Sequence, residues 1–197
     1  MITEIFKTCL SIDTLDLNLS KIKKECFKIH KQGKSRVSPQ MGGFQSPNLE
    51  LTNPNLLEMI NAITDKANFY ATDVLTLNKK IKLHNIWLNI NGYKDFNLEH
   101  THPNSIISGA FYVSVPKNSG DIYFLNPINI NNFLSLYLLR SLEDNSVFKQ
   151  NNSGNCTKTL VPGAEGRLIL FPSWLKHGVY PNMDPTKKRI SFSFNFM

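Results

Sequence analysis

Long apolar runs are missing from this sequence of 197 residues. No stretch approaches the roughly 18 consecutive apolar residues of a membrane span, so a soluble chain is expected. Cysteine is scarce. Cys9, Cys26 and Cys156 are odd in number, far apart and without a Cys-x-x-Cys spacing, which disfavours both a disulfide framework and a thiolate metal site. They read as reduced, mostly structural thiols. The opening Met1-Ile-Thr-Glu-Ile-Phe-Lys7 lacks the basic segment, apolar stretch and small-residue cleavage site of a secretory leader, so a cytoplasmic location is expected. Internal repeats and low-complexity tracts are absent as well. Acidic residues are few relative to basic ones, 15 against 22, for a net charge of +7. Such an excess suits phosphate-rich partners only where it clusters. Lys21, Lys23, Lys24 and Lys28 share one stretch, with Lys31, Lys34 and Arg36 following. A solvated basic surface is the simplest account; a nucleic-acid partner is possible but unsupported.

What is present is the composition of a globular protein of one domain: 41% hydrophobic and 11% aromatic residues, with 13 Phe. Residues 1–80 form a helical N-terminal supplement. From Leu15 to His30 the apolar residues recur at helical spacing, with Ser20 as N-cap. Lys31 to Asn48 is rich in Gly, Ser, Pro and Gln and reads as an irregular connection. A second helix is expected over Asn55 to Phe69, with Pro54 suiting its first turn. Residues 81–197 change character to short apolar runs between turn residues: 81–90, 106–115, 121–125, 167–171 and 189–196. These read as strands, and Ser191-Phe-Ser-Phe-Asn-Phe196 alternates as a strand with one buried face does. The fold class is therefore mainly β with an α supplement. The irregular interval from Ile128 to Leu160 is either a lid over a site or an insertion.

Three of the five histidines carry the chemistry. In Glu99-His100-Thr101-His102-Pro103 the two imidazoles are two residues apart, so on an extended backbone they share a side, about 6.6 Å apart along the strand. Both can reach one ion, at a rim where Pro103 ends the strand. His177 follows an apolar strand and a proline break, and a distant third ligand is what surrounding an ion requires.

The ordered set Trp87-Leu-Asn-Ile-Asn91, His100-Thr-His-Pro-Asn-Ser105, Ser108-Gly-Ala-Phe-Tyr-Val113, Phe124-Leu-Asn-Pro127, Gly166-Arg-Leu-Ile-Leu-Phe-Pro-Ser-Trp-Leu-Lys-His177 and Arg189-Ile-Ser-Phe-Ser-Phe-Asn195 resembles the 2-oxoglutarate/Fe(II) oxygenase family. The resemblance implies a double-stranded β-helix (jelly-roll) core, a mononuclear Fe(II), and 2-oxoglutarate and dioxygen as co-substrates. It makes His100, His102 and His177 the candidate metal-binding and catalytic residues. Most of the superfamily presents His-x-Asp where this chain has His100-Thr101-His102, with two His and one carboxylate around iron. Either three His bind, or Asp121 or Glu99 supplies a carboxylate. The resemblance also gives a role to Arg189-Ile190-Ser191. A guanidinium fork matches the far carboxylate of 2-oxoglutarate, and the hydroxyl adds a donor. Tyr112 and Asn126, on strands after the histidine turn, are further co-substrate contacts, whereas Trp87 and Trp174 are expected in the core.

The expected activity is a 2-oxoglutarate- and Fe(II)-dependent dioxygenase acting as a hydroxylase. Two other classes fit parts of the pattern: a cupin-like three-His metalloenzyme without 2-oxoglutarate, and a non-catalytic jelly-roll binding protein. The primary substrate and the oligomeric state are not encoded in any motif.

Overall fold

The computed structural model describes residues 7–36, 40–128, 152 and 156–197. Two antiparallel sheets face each other. The first has six strands in the order β1 (Ser11–Thr14), β9 (Arg167–Pro172), β6 (Ile107–Ser114), β11 (Arg189–Phe196), β4 (Leu83–Asn91) and β3 (Phe44–Gln45). The second runs β2 (Gln40–Met41), β5 (Phe96–His100), β10 (His177–Val179), β7 (Ile122–Leu125) and β8 (Lys158–Val161). This is a jelly-roll, as expected. The part of the Ile128 to Leu160 interval over 129–151 and 153–155 lies outside the described residues.

The six-stranded sheet buries two faces of different chemistry, because successive side chains on a strand point to opposite sides. On the outer face Ile86, Leu88 and Ile90 of β4 and Ile190, Phe192, Phe194 and Phe196 of β11 join one apolar core with Ile22 and Cys26 of α1 (Leu19–Gln32) and Met59, Ile60, Ile63 and Ala67 of α2 (Leu57–Phe69). On the inner face Ala110, Tyr112, Ile169 and Phe171 pack against Ile122 and Phe124 of the second sheet. Ser191-Phe-Ser-Phe-Asn-Phe196 is therefore not a strand with one solvated face. Its Phe side chains are fully buried, and Ser191 and Asn195 on the other face are only 8% and 7% exposed.

The helices depart from expectation at their starts. Asn18, not Ser20, caps α1: its Oδ1 accepts from the Lys21 backbone N–H at 2.9 Å. A cap must precede the first helical residue so that its side chain can reach the free N–H groups of the first turn. Leu15 and Leu17 lie in the extended link before it. α2 begins at Leu57 and continues into a π-helical turn over Tyr70–Val74. The connection from Lys31 to Asn48 is less irregular than its composition suggests, since it holds β2 and β3, each pairing with a longer strand. β1 is likewise an edge strand of the large sheet, paired with β9 from Ser11↔Leu170 to Thr14↔Arg167.

Candidate metal centre and cavity

His100 is the last residue of β5 and His177 the first of β10, and the two stand directly across from one another in register. His102 lies beyond the end of β5, so the expected extended His-x-His geometry holds only at its first member. The turn is pinned: the His102 N–H donates to Ser173 O at 2.9 Å, and the Ser173 N–H donates to Ile106 O at 3.0 Å. Ser173 leads into His177, so the loop carrying one imidazole is tied to the segment carrying another. One ring nitrogen from each of the three His lies within 4.8 Å of the others.

The tautomers follow from the partners. A carbonyl oxygen only accepts, so His100 Nδ1 donates to Leu98 O at 2.7 Å and His177 Nδ1 donates to Leu175 O at 2.9 Å. That places a lone pair on each Nε2, the arrangement that orients a metal ligand. His102 Nε2 is 3.3 Å from His177 Nε2. Two nitrogens bound to one ion at about 2.1 Å stand roughly 3.0–3.4 Å apart for bond angles of about 90–109°. The spacing fits a shared ion. Burial, with the neighbouring imidazoles adding to it, lowers the pKa of His177 to about 3 and that of His102 to about 4, and burial lowers His100 as well. All three are neutral at neutral pH.

The three rings open onto a cavity of about 330 Å3 between the sheets. Arg189, 1% exposed, lines it. Its Nη1 donates to the carbonyls of Ser119, Gly120 (3.2 Å) and Tyr180 (3.0 Å), while its Nη2 is buried without a protein partner. The loop that grips it needs Gly120, whose φ of +81° is in the left-handed region and where a Cβ would strike the Tyr180 carbonyl. Burial pulls the guanidinium's pKa down, and Tyr112, Asp95 and Asp121 oppose that pull. Asp184, five residues before this Arg, is not its partner and accepts from the Thr186 and Lys187 N–H groups. Ser191 and Tyr112 also line the cavity, cross-strand neighbours of one another.

Other expectations do not reach the site. Asn126 is turned away: its Nδ2 donates to Cys156 O at 2.8 Å, its Oδ1 accepts from the Ile128 N–H at 2.9 Å, and it does not line the cavity. Asp121 and Glu99 are not part of the histidine cluster. Asp121 lines a separate depression with Tyr180 and Met183, and Glu99 pairs with Lys176 at 3.4 Å on the surface. Trp174 is 58% exposed rather than core, and Trp87 lines the cavity, its ring centroid 5.9 Å from that of His102. Composition and spacing gave no hint of the polar residues beside them: Gln45, Asn85, Asn89, Asn91, Asn97, Ser193 and Asn195 all face the cavity.

A jelly-roll with three imidazoles that could hold a metal ion, opening onto an internal cavity, is the arrangement of a metalloenzyme. The family described as "Putative 2OG-Fe(II) oxygenase" matches residues 85–195, more than half of the chain, and the chain belongs to that family. It is thus an Fe(II)-dependent oxygenase using 2-oxoglutarate. No curated protein matches the sequence. Among solved structures, a Pseudomonas putida prolyl-4-hydroxylase superposes with a TM-score of 0.64 at 13% identity, covering 96% of this chain and 92% of that one. HygX from Streptomyces hygroscopicus, solved with nickel and 2-oxoglutarate, gives 0.63 at 13% identity over 96% and 82%. The 2-oxoglutarate complex of a viral collagen prolyl hydroxylase from Paramecium Bursaria Chlorella virus-1 gives 0.59 at 11% over 95% and 94%. At these identities the likeness is one of fold.

Proposed function

We propose that His100, His102 and His177 together hold the Fe(II), and that Arg189 with Ser191 holds the far carboxylate of 2-oxoglutarate. The observation that carries the first assignment is the convergence of three ligand nitrogens within 4.8 Å, with two Nε2 lone pairs set by backbone carbonyls. The second rests on Arg189 Nη2, a charged donor buried without a partner at the cavity wall, since leaving such a group unpaired is costly unless a ligand completes it. When bound, Fe(II) with 2-oxoglutarate and dioxygen supplies the oxidising power that hydroxylates a C–H bond.

The chain's own part is positioning. Three neutral imidazoles leave the ion's charge uncompensated, so the dianionic co-substrate becomes its main counter-charge. Arg189 is fixed by three carbonyls before any ligand arrives, which lowers the cost of ordering the co-substrate. Phe171 and Phe124, with ring centroids 4.5 and 5.9 Å from that of His177, keep water from the inner side of the cluster. We also take residues 1–197 as one domain, because β1 and β3 join the same sheet as the C-terminal strands. Among the described residues no helix is long and apolar enough to cross a membrane. The free Cys9, Cys26 and Cys156 support a reducing, cytoplasmic setting.

The test is Fe(II) binding and 2-oxoglutarate consumption by the full chain and by His100→Ala, His102→Ala and His177→Ala. Loss of both in all three variants is expected. Retention of full iron affinity in His102→Ala would remove it from the ligand set.

A further inference from the structure

The cavity holds more polar equipment than the iron and the oxoacid use. Asn91 stands opposite Arg189 in register and belongs with the co-substrate. Further along the wall, Gln45 of β3 and Asn89 of β4 are cross-strand partners, 7% and 4% exposed. Gln45 Oε1 and Asn89 Oδ1 are both buried with no protein partner. Asn89 Nδ2 is spent on Ser193 Oγ at 2.9 Å. Asn85 is held with its Oδ1 accepting from Asn195 Nδ2 at 2.9 Å, which leaves its own N–H groups for the cavity. Trp87 lies between Asn85 and Asn89 on the same strand face and offers an apolar surface beside His102.

Charge completes the description. Among the described residues, those lining this cavity include Arg36 and Arg189 but no Asp, Glu or Lys. An ammonium group entering it would give up its hydration and find no carboxylate, a loss the amides cannot repay. A neutral group with N–H or O–H donors and oxygen acceptors satisfies the unpaired amide atoms instead. Since burying polar groups without partners is disfavoured, their concentration beside the metal centre points to a ligand that completes them.

We infer that the β3–β4 wall, Gln45, Asn85 and Asn89 with Trp87, is the primary-substrate subsite, and that it takes an uncharged hydroxyl- or carboxamide-bearing group and rejects cationic amines. The inference rests on the oxygenase reading for its placement beside the reacting centre. The substrate's carbon skeleton packs on Trp87 while its polar groups engage the amides, which sets a C–H bond toward the three imidazoles.

The experiment measures binding of three probes to the full chain by saturation-transfer NMR, anaerobically, with and without Fe(II) and 2-oxoglutarate: methyl glucoside, N-acetylasparagine methylamide and N-acetyllysine methylamide. At least one neutral probe is expected to bind about tenfold more tightly than the lysine probe. Gln45→Leu and Asn89→Leu should each weaken that binding by about tenfold, the cost of one buried hydrogen bond. The isosteric Asn89→Asp, whose folding is checked by thermal melting, should reverse the order in favour of the lysine probe. Equal or tighter binding of the lysine probe to the unaltered chain, binding of neither neutral probe, or unchanged neutral-probe binding in both Leu variants overturns the inference. So does a loss of 2-oxoglutarate affinity in those variants with probe binding intact, which would give the wall to the co-substrate. Failure of the iron reading registers separately, as absence of 2-oxoglutarate binding to the unaltered Fe(II) protein.

Discussion

The two faces of the β4–β11 pair are both largely turned away from solvent and differ in chemistry. Toward the helices stand Ile86, Leu88, Ile90, Ile190, Phe192, Phe194 and Phe196, each at most 2% exposed. Toward the cavity stand Asn89, Asn91, Arg189, Ser191 and Asn195, at most 8% exposed. The apolar face is complete within the fold and contributes stability. The polar face is incomplete: Asn89 Oδ1, Asn91 Nδ2 and Arg189 Nη2 have no protein partner. One pair of strands thus holds the barrel together on one side and leaves hydrogen-bonding capacity for ligands on the other.

That contrast breaks most sharply at the metal centre. His177→Ala should abolish Fe(II) binding and Fe(II)-dependent consumption of 2-oxoglutarate, measured by metal analysis and succinate formation, while the circular dichroism of the sheets persists. On the opposite face Phe192→Ala should cost roughly 3–5 kcal/mol of unfolding free energy through the cavity it leaves. Denaturant titration measures it, and iron affinity per folded molecule should stay unchanged. Arg189→Lys keeps the charge but loses the second nitrogen of the fork, so KM for 2-oxoglutarate should rise about 10–100-fold, with a smaller change in kcat.

Two smaller effects sharpen the same division. In the metal-free protein, His102 and His177 have folded pKa values of about 4 and about 3 against an ordinary 6.5. The unfolded chain therefore takes up protons first as acid is added. Stability from these two groups should be constant above pH 6.5 and fall between about pH 6.5 and 3, as read by thermal melting. His102→Ala and His177→Ala should each flatten that slope. Asn89→Leu should change unfolding free energy by less than about 1 kcal/mol, because it removes an unpaired buried acceptor together with one hydrogen bond.

The large sheet was legible in the sequence because its strands are long and strongly patterned: β4, β6, β9 and β11 fall close to where the apolar runs put them. Of the small sheet only β7, read over 121–125, was legible. β5, Phe96-Asn-Leu-Glu-His100, has no fully buried residue, and β10 is three residues long, so neither leaves an alternation to read. The convergence of His100, His102 and His177 and the place of Arg189 on the same cavity wall were legible from motif and spacing, although the expected strand geometry of His102 failed. The amide wall was invisible for a physical reason. An Asn or Ser facing an internal cavity alternates with Phe and Ile just as one facing water does, and only the second sheet and β3 distinguish the two. Asn126 failed for the converse reason: it sits at the end of β7, where backbone partners claim its side chain.

The most direct test of the central claim is an anaerobic titration of the Fe(II)-loaded protein with 2-oxoglutarate, followed by its visible absorption. Three histidine ligands and a chelating oxoacid predict a charge-transfer band that saturates at one equivalent, disappears in His102→Ala and His177→Ala, and needs far more 2-oxoglutarate in Arg189→Lys. Absence of the band from the unaltered protein, or its full retention in His102→Ala, would contradict the account.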